Sequence, residues 1–92
     1  MHSRADEFAI DDEIRQVVQE HGRVSVDVSA LARDADLYDA GMTSHASVSV
    51  MLALEDRFDV EFAEHMLVPS VFQSIAAISA ALTELRRHAR TS

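Results

Sequence analysis

An all-α fold, arranged as a small four-helix bundle, is what this amino-acid sequence predicts, and three observations predict it. Apolar residues make up 48% of the chain, yet the aromatics are only four Phe and one Tyr, with two Gly and one Pro, a balance that favours helices over strands. Apolar positions recur at helical spacing in separate stretches near the amino end, in the middle and near the carboxyl end. The 92 residues suit one modest core, so residues 1–92 read as a single domain of packed helices.

The first helix is expected from Arg4 or Asp6 to Glu20, where Phe8, Ile10, Ile14, Val17 and Val18 recur at helical spacing. Asp11, Asp12, Glu13, Arg15, Gln16 and Gln19 are left to face water. Acids gather towards its amino end, as the helix dipole prefers, and His21-Gly22 supplies the stop, with glycine suited to a left-handed position. The stretch from Arg23 to Met42 is too long for an ordinary connection, so it is a loop held by its own side chains or a functional one. Val24, Val26 and Val28 alternate with polar residues, but one short run makes no sheet. Ser29–Arg33 can form a helical turn with Leu31 inward, and Leu37, Tyr38 and Met42 are expected to anchor the loop, the Tyr38 hydroxyl staying at the surface.

The second helix is expected from Ser44 to Phe58, with Val50, Met51, Leu54 and Phe58 on the core face. Val48 and Leu52 form a second stripe, four apart, which is partly exposed if the first fills the core. Beside Glu55 and Asp56 that stripe makes either a small docking surface with an acidic rim or a second buried side of the bundle. Residues Phe62 to Leu67 read as a turn or a single helical coil. A short third helix starts at Val68-Pro69-Ser70, since proline is favoured in a first turn, with Pro69-Ser70-Val71-Phe72 as one turn and Phe72 inward. Ser74 caps the fourth helix, whose inner stripe is Ile75, Ile78, Ala81, Leu82 and Leu85. Arg86, Arg87, His88 and Arg90 gather at its end, as a solvated terminus that suits the dipole or as a basic tag.

Sixteen Asp and Glu against eight Arg, with no Lys, give a net charge of −8. Nucleic acid is therefore not an expected partner, because phosphate contacts need a basic surface. Partners with basic docking patches suit this field, although acidity also simply keeps a small protein in solution. Cysteine is absent, so any reactive sulfur must arrive on a cofactor. Neither a signal-peptide core nor a run of membrane-spanning length occurs, and a cytoplasmic monomer is expected.

The most specific stretch is Asp36-Leu37-Tyr38-Asp39-Ala40-Gly41-Met42-Thr43-Ser44, where a polar loop passes a glycine and hands over to a helix opening on a serine. Gly41 permits a positive φ, and Thr43 and Ser44 place hydroxyls where the first helical N–H groups lack partners. Those hydroxyls either only cap the helix or present Ser44 at an exposed, positively polarised end, where an attached phosphodiester is favoured.

This stretch, followed by Val48, Leu52, Leu54-Glu55 and Phe58 and then by Val60-Glu61-Phe62, Pro69, Phe72 and Ser74-Ile75-Ala76-Ala77, resembles the acyl and peptidyl carrier proteins over roughly Phe8 to Leu85. The resemblance implies an acyl-carrier-like bundle in which Ser44 bears a 4′-phosphopantetheine arm taken from coenzyme A, with cargo held on the arm's thiol as a thioester. It also implies that Val48, Leu52, Glu55 and Asp56, with Thr43 and His45 flanking the serine, meet the partner enzymes. Those partners would be a phosphopantetheinyl transferase, a ligase that loads the arm and a downstream acceptor. The family's common aspartate-serine-leucine triplet is here Thr43-Ser44-His45. Such a triplet is similar to that of stand-alone bacterial carriers loaded with an amino acid by ligases related to aminoacyl-tRNA synthetase cores. A fatty-acyl or polyketide-type carrier and an unmodified adaptor of the same fold are the alternatives.

Catalysis by the chain itself is not expected. Ser44 and His45 are neighbours on a helix, so their side chains diverge by about a quarter turn and share no hydrogen bond easily. No glycine-flanked nucleophile elbow surrounds the serine. His21, His45, His65 and His88 show no i, i+4 pairing for a metal, and Asp34, Asp36 and Asp39 lack the twelve-residue Ca²⁺ pattern. His45 either touches the arm or a partner, or is an ordinary surface histidine.

Overall fold

A computed structural model describes the backbone of residues 3–91 and the side chains of residues 10–87. The expectations for Phe8, Asp6, Glu7, His88 and Arg90 fall on side chains outside that range. Three α-helices appear among the described residues: α1, Ser3–His21; α2, Ser44–Phe58; and α3, Ile75–Thr91. Three short 3₁₀ turns, Val28–Ala30, Glu64–Met66 and Pro69–Phe72, punctuate the connections.

The core is where the three helical stripes meet. Ile14, Val17 and Val18 of α1, Val50 and Leu54 of α2, and Ile75, Ile78 and Leu82 of α3 are essentially inaccessible to solvent. Leu37, Met42, Phe62, Met66 and Phe72 from the connections complete the cluster. The Phe62 and Phe72 rings lie 5.3 Å apart at 56°, a tilted arrangement that aromatic quadrupoles favour. Ala77 N–H donates to Ser74 Oγ at 3.0 Å, so Ser74 does cap α3 as its position suggests.

The long connection between α1 and α2 is held mainly by α1, through two side chains expected to face water: Gln19 is exposed and Arg15 half-buried, and both also bond to the loop. The Arg15 guanidinium donates to the carbonyls of Val28 and Leu31, both at 2.8 Å, and Gln19 Oε1 accepts the Val28 N–H at 2.8 Å. A loop of this length leaves carbonyls and amides without regular partners, and long polar side chains on the adjacent helix are the groups able to reach them. Arg33 adds an ion pair to Asp11 at 2.8 Å. At its far end the loop is tied to α3, through Leu37 N–H to the Gln73 carbonyl and Ala76 N–H to the Arg33 carbonyl.

Two expectations are corrected. The left-handed residue after α1 is Arg23, with φ 57°, and not Gly22. Gly22 is needed for space instead, because a Cβ there would lie 2.7 Å from the Val18 carbonyl oxygen and 3.4 Å from Met42 Sδ. The helix count is the other: the short third helix, expected as one turn over Pro69-Ser70-Val71-Phe72, lies at those residues with Phe72 buried, but it is a 3₁₀ turn and not an α-helix. Val68 enters it in extended form, Ser74 already caps α3, and the Gln73 carbonyl is spent on Leu37, so there is no length in which a longer helix could grow. Among the described residues the result is three α-helices, with a 3₁₀ turn in place of the short third helix of the expected four.

No helix among the described residues is long and apolar enough to cross a membrane.

Candidate functional site

Scaffolding for Ser44 begins at Asp36. Its Oδ1 accepts the N–H groups of Tyr38 and Asp39, and its Oδ2 accepts from Gln73 Nε2 at 3.1 Å. This folds the chain into a turn through a short side chain that mimics backbone. Leu37 is fully buried, and its carbonyl accepts the N–H of Met42 at 3.0 Å. Gly41 sits at φ 117°, where a Cβ would be strained and would press on Ser25 N at 3.3 Å. The Asp-Leu pair and the glycine are therefore the frame that aims the next residues.

Those residues open α2. Thr43 is extended and its Oγ1 accepts the Ala46 N–H at 3.0 Å, while its carbonyl takes the Ser47 N–H at 2.9 Å. Thr43 is thus the cap, and Ser44 is the first helical residue. The cap leaves over the amides of Ser44 and His45, the donors that a helix start cannot satisfy internally. Ser44 is solvent-exposed, so its hydroxyl is reachable at the positive end of the α2 dipole. The capping and attachment readings are in this way divided between two adjacent residues.

The other expected site residues fall on or beside one side of α2. Val48 and Leu52 are 50% and 55% exposed, which leaves them unburied beside a core face that Val50 and Leu54 fill. His45 and Asp56 are exposed. Glu55 differs: it is half-buried and its Oε2 accepts the Phe62 N–H at 2.9 Å, so this carboxylate first of all pins the connection after α2.

A groove that sequence reasoning missed borders the serine. It encloses about 180 Å³ and is lined by Ser44, Val48, Met51, Leu67, Val68 and Phe72, among others. The available signal was Leu67-Val68, two large apolar residues ahead of a proline, which are 48% and 42% exposed. Two polar groups on the groove wall have their protons engaged: the Ser47 hydroxyl donates to the Ser44 carbonyl at 2.6 Å, and the Tyr38 hydroxyl to the Pro69 carbonyl at 3.3 Å. No group of three or more His, Cys, Asp or Glu able to hold a metal occurs among the described residues.

This arrangement fits a phosphodiester-linked arm. It offers a reachable hydroxyl, the amides of a helix start next to it and an apolar wall alongside.

Comparison with known proteins agrees with that chemistry. A family model described as the phosphopantetheine attachment site matches residues 12–82. An aminoacyl carrier protein of Agrobacterium fabrum is 43% identical over 65 residues, covering 71% of this chain and 78% of the relative. Among solved structures, one of an engineered Bradyrhizobium japonicum glycine:[carrier protein] ligase complexed with carrier protein from Agrobacterium tumefaciens and ATP contains a chain that matches with TM-score 0.79 and 37% identity. That match covers 82% of this chain and 97% of the other. A solution structure of an Agrobacterium tumefaciens protein matches with TM-score 0.71 and 34% identity over 89% of this chain and 99% of its own.

Proposed function

The chain belongs to the phosphopantetheine-attachment family of carrier proteins, and from that membership we propose that Ser44 bears the group and that the cargo is an amino acid. It is a carrier and not an enzyme. When bound, the group supplies a thiol on a flexible tether, to which cargo is joined as a thioester. The chain's own residues expose one hydroxyl, hold it still and present a recognisable face. The observation that carries the reading is the division of labour at the start of α2, where Thr43 caps and Ser44 stands exposed.

A phosphopantetheinyl transferase would find the Ser44 hydroxyl without any rearrangement of the fold. A ligase would then load the arm, and a separate acceptor would take the cargo. The amino-acid reading draws on the similarity to an aminoacyl carrier protein and to a carrier crystallised with a glycine:[carrier protein] ligase. The partner face comprises Val48, Leu52 and Asp56, with Thr43 and His45 at its serine end and Glu55 adding charge while it holds Phe62. We read residues 1–92 as one domain, a cytoplasmic monomer, with the Pro69–Phe72 turn as the reduced third member of a four-element bundle.

Intact mass after co-expression with a phosphopantetheinyl transferase tests the attachment. One covalent addition is expected, and it disappears in Ser44→Ala; an unchanged mass, or an addition that survives in the variant, overturns the assignment. Incubating the modified protein with an amino-acid ligase or a fatty-acyl ligase, and reading the mass again, separates the two cargo classes.

A further inference from the structure

We infer that Gln73, at the approach to α3, is a positioning residue for the modification of Ser44 and acts on it through Asp36. The inference rests on attachment at Ser44. Three consecutive residues of the segment leading to the serine are held from the Pro69–Phe72 turn and the residue that follows it. Gln73 Nε2 donates to Asp36 Oδ2 at 3.1 Å, the Leu37 N–H donates to the Gln73 carbonyl at 2.7 Å, and the Tyr38 hydroxyl donates to the Pro69 carbonyl at 3.3 Å. Gln73 thus grips this segment with backbone and side chain together.

What the side chain adds is orientation. Asp36 Oδ1 already carries the Tyr38 and Asp39 amides, and bonds to one oxygen alone leave the carboxylate plane freer to turn. The Gln73 amide on the other oxygen fixes that plane, and with it the turn whose Leu37 carbonyl accepts the Met42 N–H at 3.0 Å, directly ahead of the Thr43 cap. The tie adds little to global stability, because Gln73 is exposed and ordering a long side chain costs about as much as one such hydrogen bond returns. Its effect is on where the Ser44 hydroxyl points. In the transfer, the Ser44 oxygen bonds to the pantetheine-bearing phosphorus of coenzyme A and the pyrophosphate P–O bond breaks. Adenosine 3′,5′-bisphosphate leaves, and the hydroxyl proton passes to a base on the transferase. A hydroxyl held out of line slows that step, whereas binding is spared because the proposed partner face on α2 is untouched.

The test uses the full chain, coenzyme A and a phosphopantetheinyl transferase in excess, so that single-turnover rates at several transferase concentrations give a maximal rate and a half-saturating concentration. Gln73→Leu keeps the side chain's bulk and removes its donor. It should lower the maximal rate about three- to tenfold, with the half-saturating concentration and the urea midpoint unchanged. Gln73→Glu sets two carboxylates against each other and should lower the rate at least as far. Adding Asp36→Asn to Gln73→Glu exchanges donor and acceptor and should restore most of the rate, whereas adding it to Gln73→Leu should restore none. An unaltered maximal rate in Gln73→Leu overturns the inference, as does a loss confined to the half-saturating concentration or one that follows the urea midpoint. Failure of Asp36→Asn to rescue Gln73→Glu, or equal rescue of Gln73→Leu, overturns it too, and each of these leaves attachment at Ser44 intact. No mass addition to the wild type overturns the attachment itself, and the inference with it.

Discussion

Thr43 shows how a departure from a family's common triplet can leave the architecture untouched. Aspartate is frequent at that position in carrier proteins, and its capping oxygen is replaced here by Thr43 Oγ1 on the Ala46 N–H, so the helix start is preserved and one negative charge beside Ser44 is removed. Thr43→Ala should cost about 1 kcal/mol in urea unfolding, whereas Thr43→Asp should stay within a few tenths of wild type. At this scale the sequence was a good guide to residue type and a poorer one to reason. Gly41 was legible as a positive-φ residue and is one. Gly22 was legible as a helix stop, but its requirement is room against the Val18 carbonyl oxygen 2.7 Å from where a Cβ would stand, not the left-handed φ, which falls on Arg23. Glu55 read as a rim charge, and only the fold shows it reaching the Phe62 amide.

For the elements, periodicity found α1, α2 and α3 and their inner faces, because each buries a stripe whose spacing is set by the helix itself. The two stripes of α2 were separable for the same reason. Since Val48 and Leu52 are half or more exposed, replacing both with Ser should leave stability within about 0.5 kcal/mol per site yet raise the apparent KM of the loading ligase, measured with the modified protein over a range of carrier concentrations. The connection between α1 and α2 was far less legible. Its anchors are Arg15 and Gln19, charged and polar residues that periodicity assigns to solvent, and their targets are carbonyls and amides thirteen, sixteen and nine positions away. Arg15→Met retains the apolar stem and strips the guanidinium from the Val28 and Leu31 carbonyls. A loss of about 1–2 kcal/mol is expected, read from the shift in denaturation midpoint.

Over the whole molecule, composition was enough for the class and one loop was enough for the role, but the helix count was not. The shortfall lies at Pro69–Phe72, where the tie between Leu37 and Gln73 takes the carbonyl that a longer helix would have used. That same tie joins the segment preceding Ser44 to the start of α3, while Arg15 and Gln19 fasten its other end to α1. The twenty-odd residues between the first two helices are thus tied to helices at both ends, with the Val28–Ala30 turn as their regular structure. Deuterium should leave the Leu37 amide only when the entire protein unfolds, at a rate matching the slowest amides of α3, and a protease that cuts ordinary surface loops should find no early foothold there. Rigidity in the run-up to the serine is what would let a partner meet the same landmark on every visit.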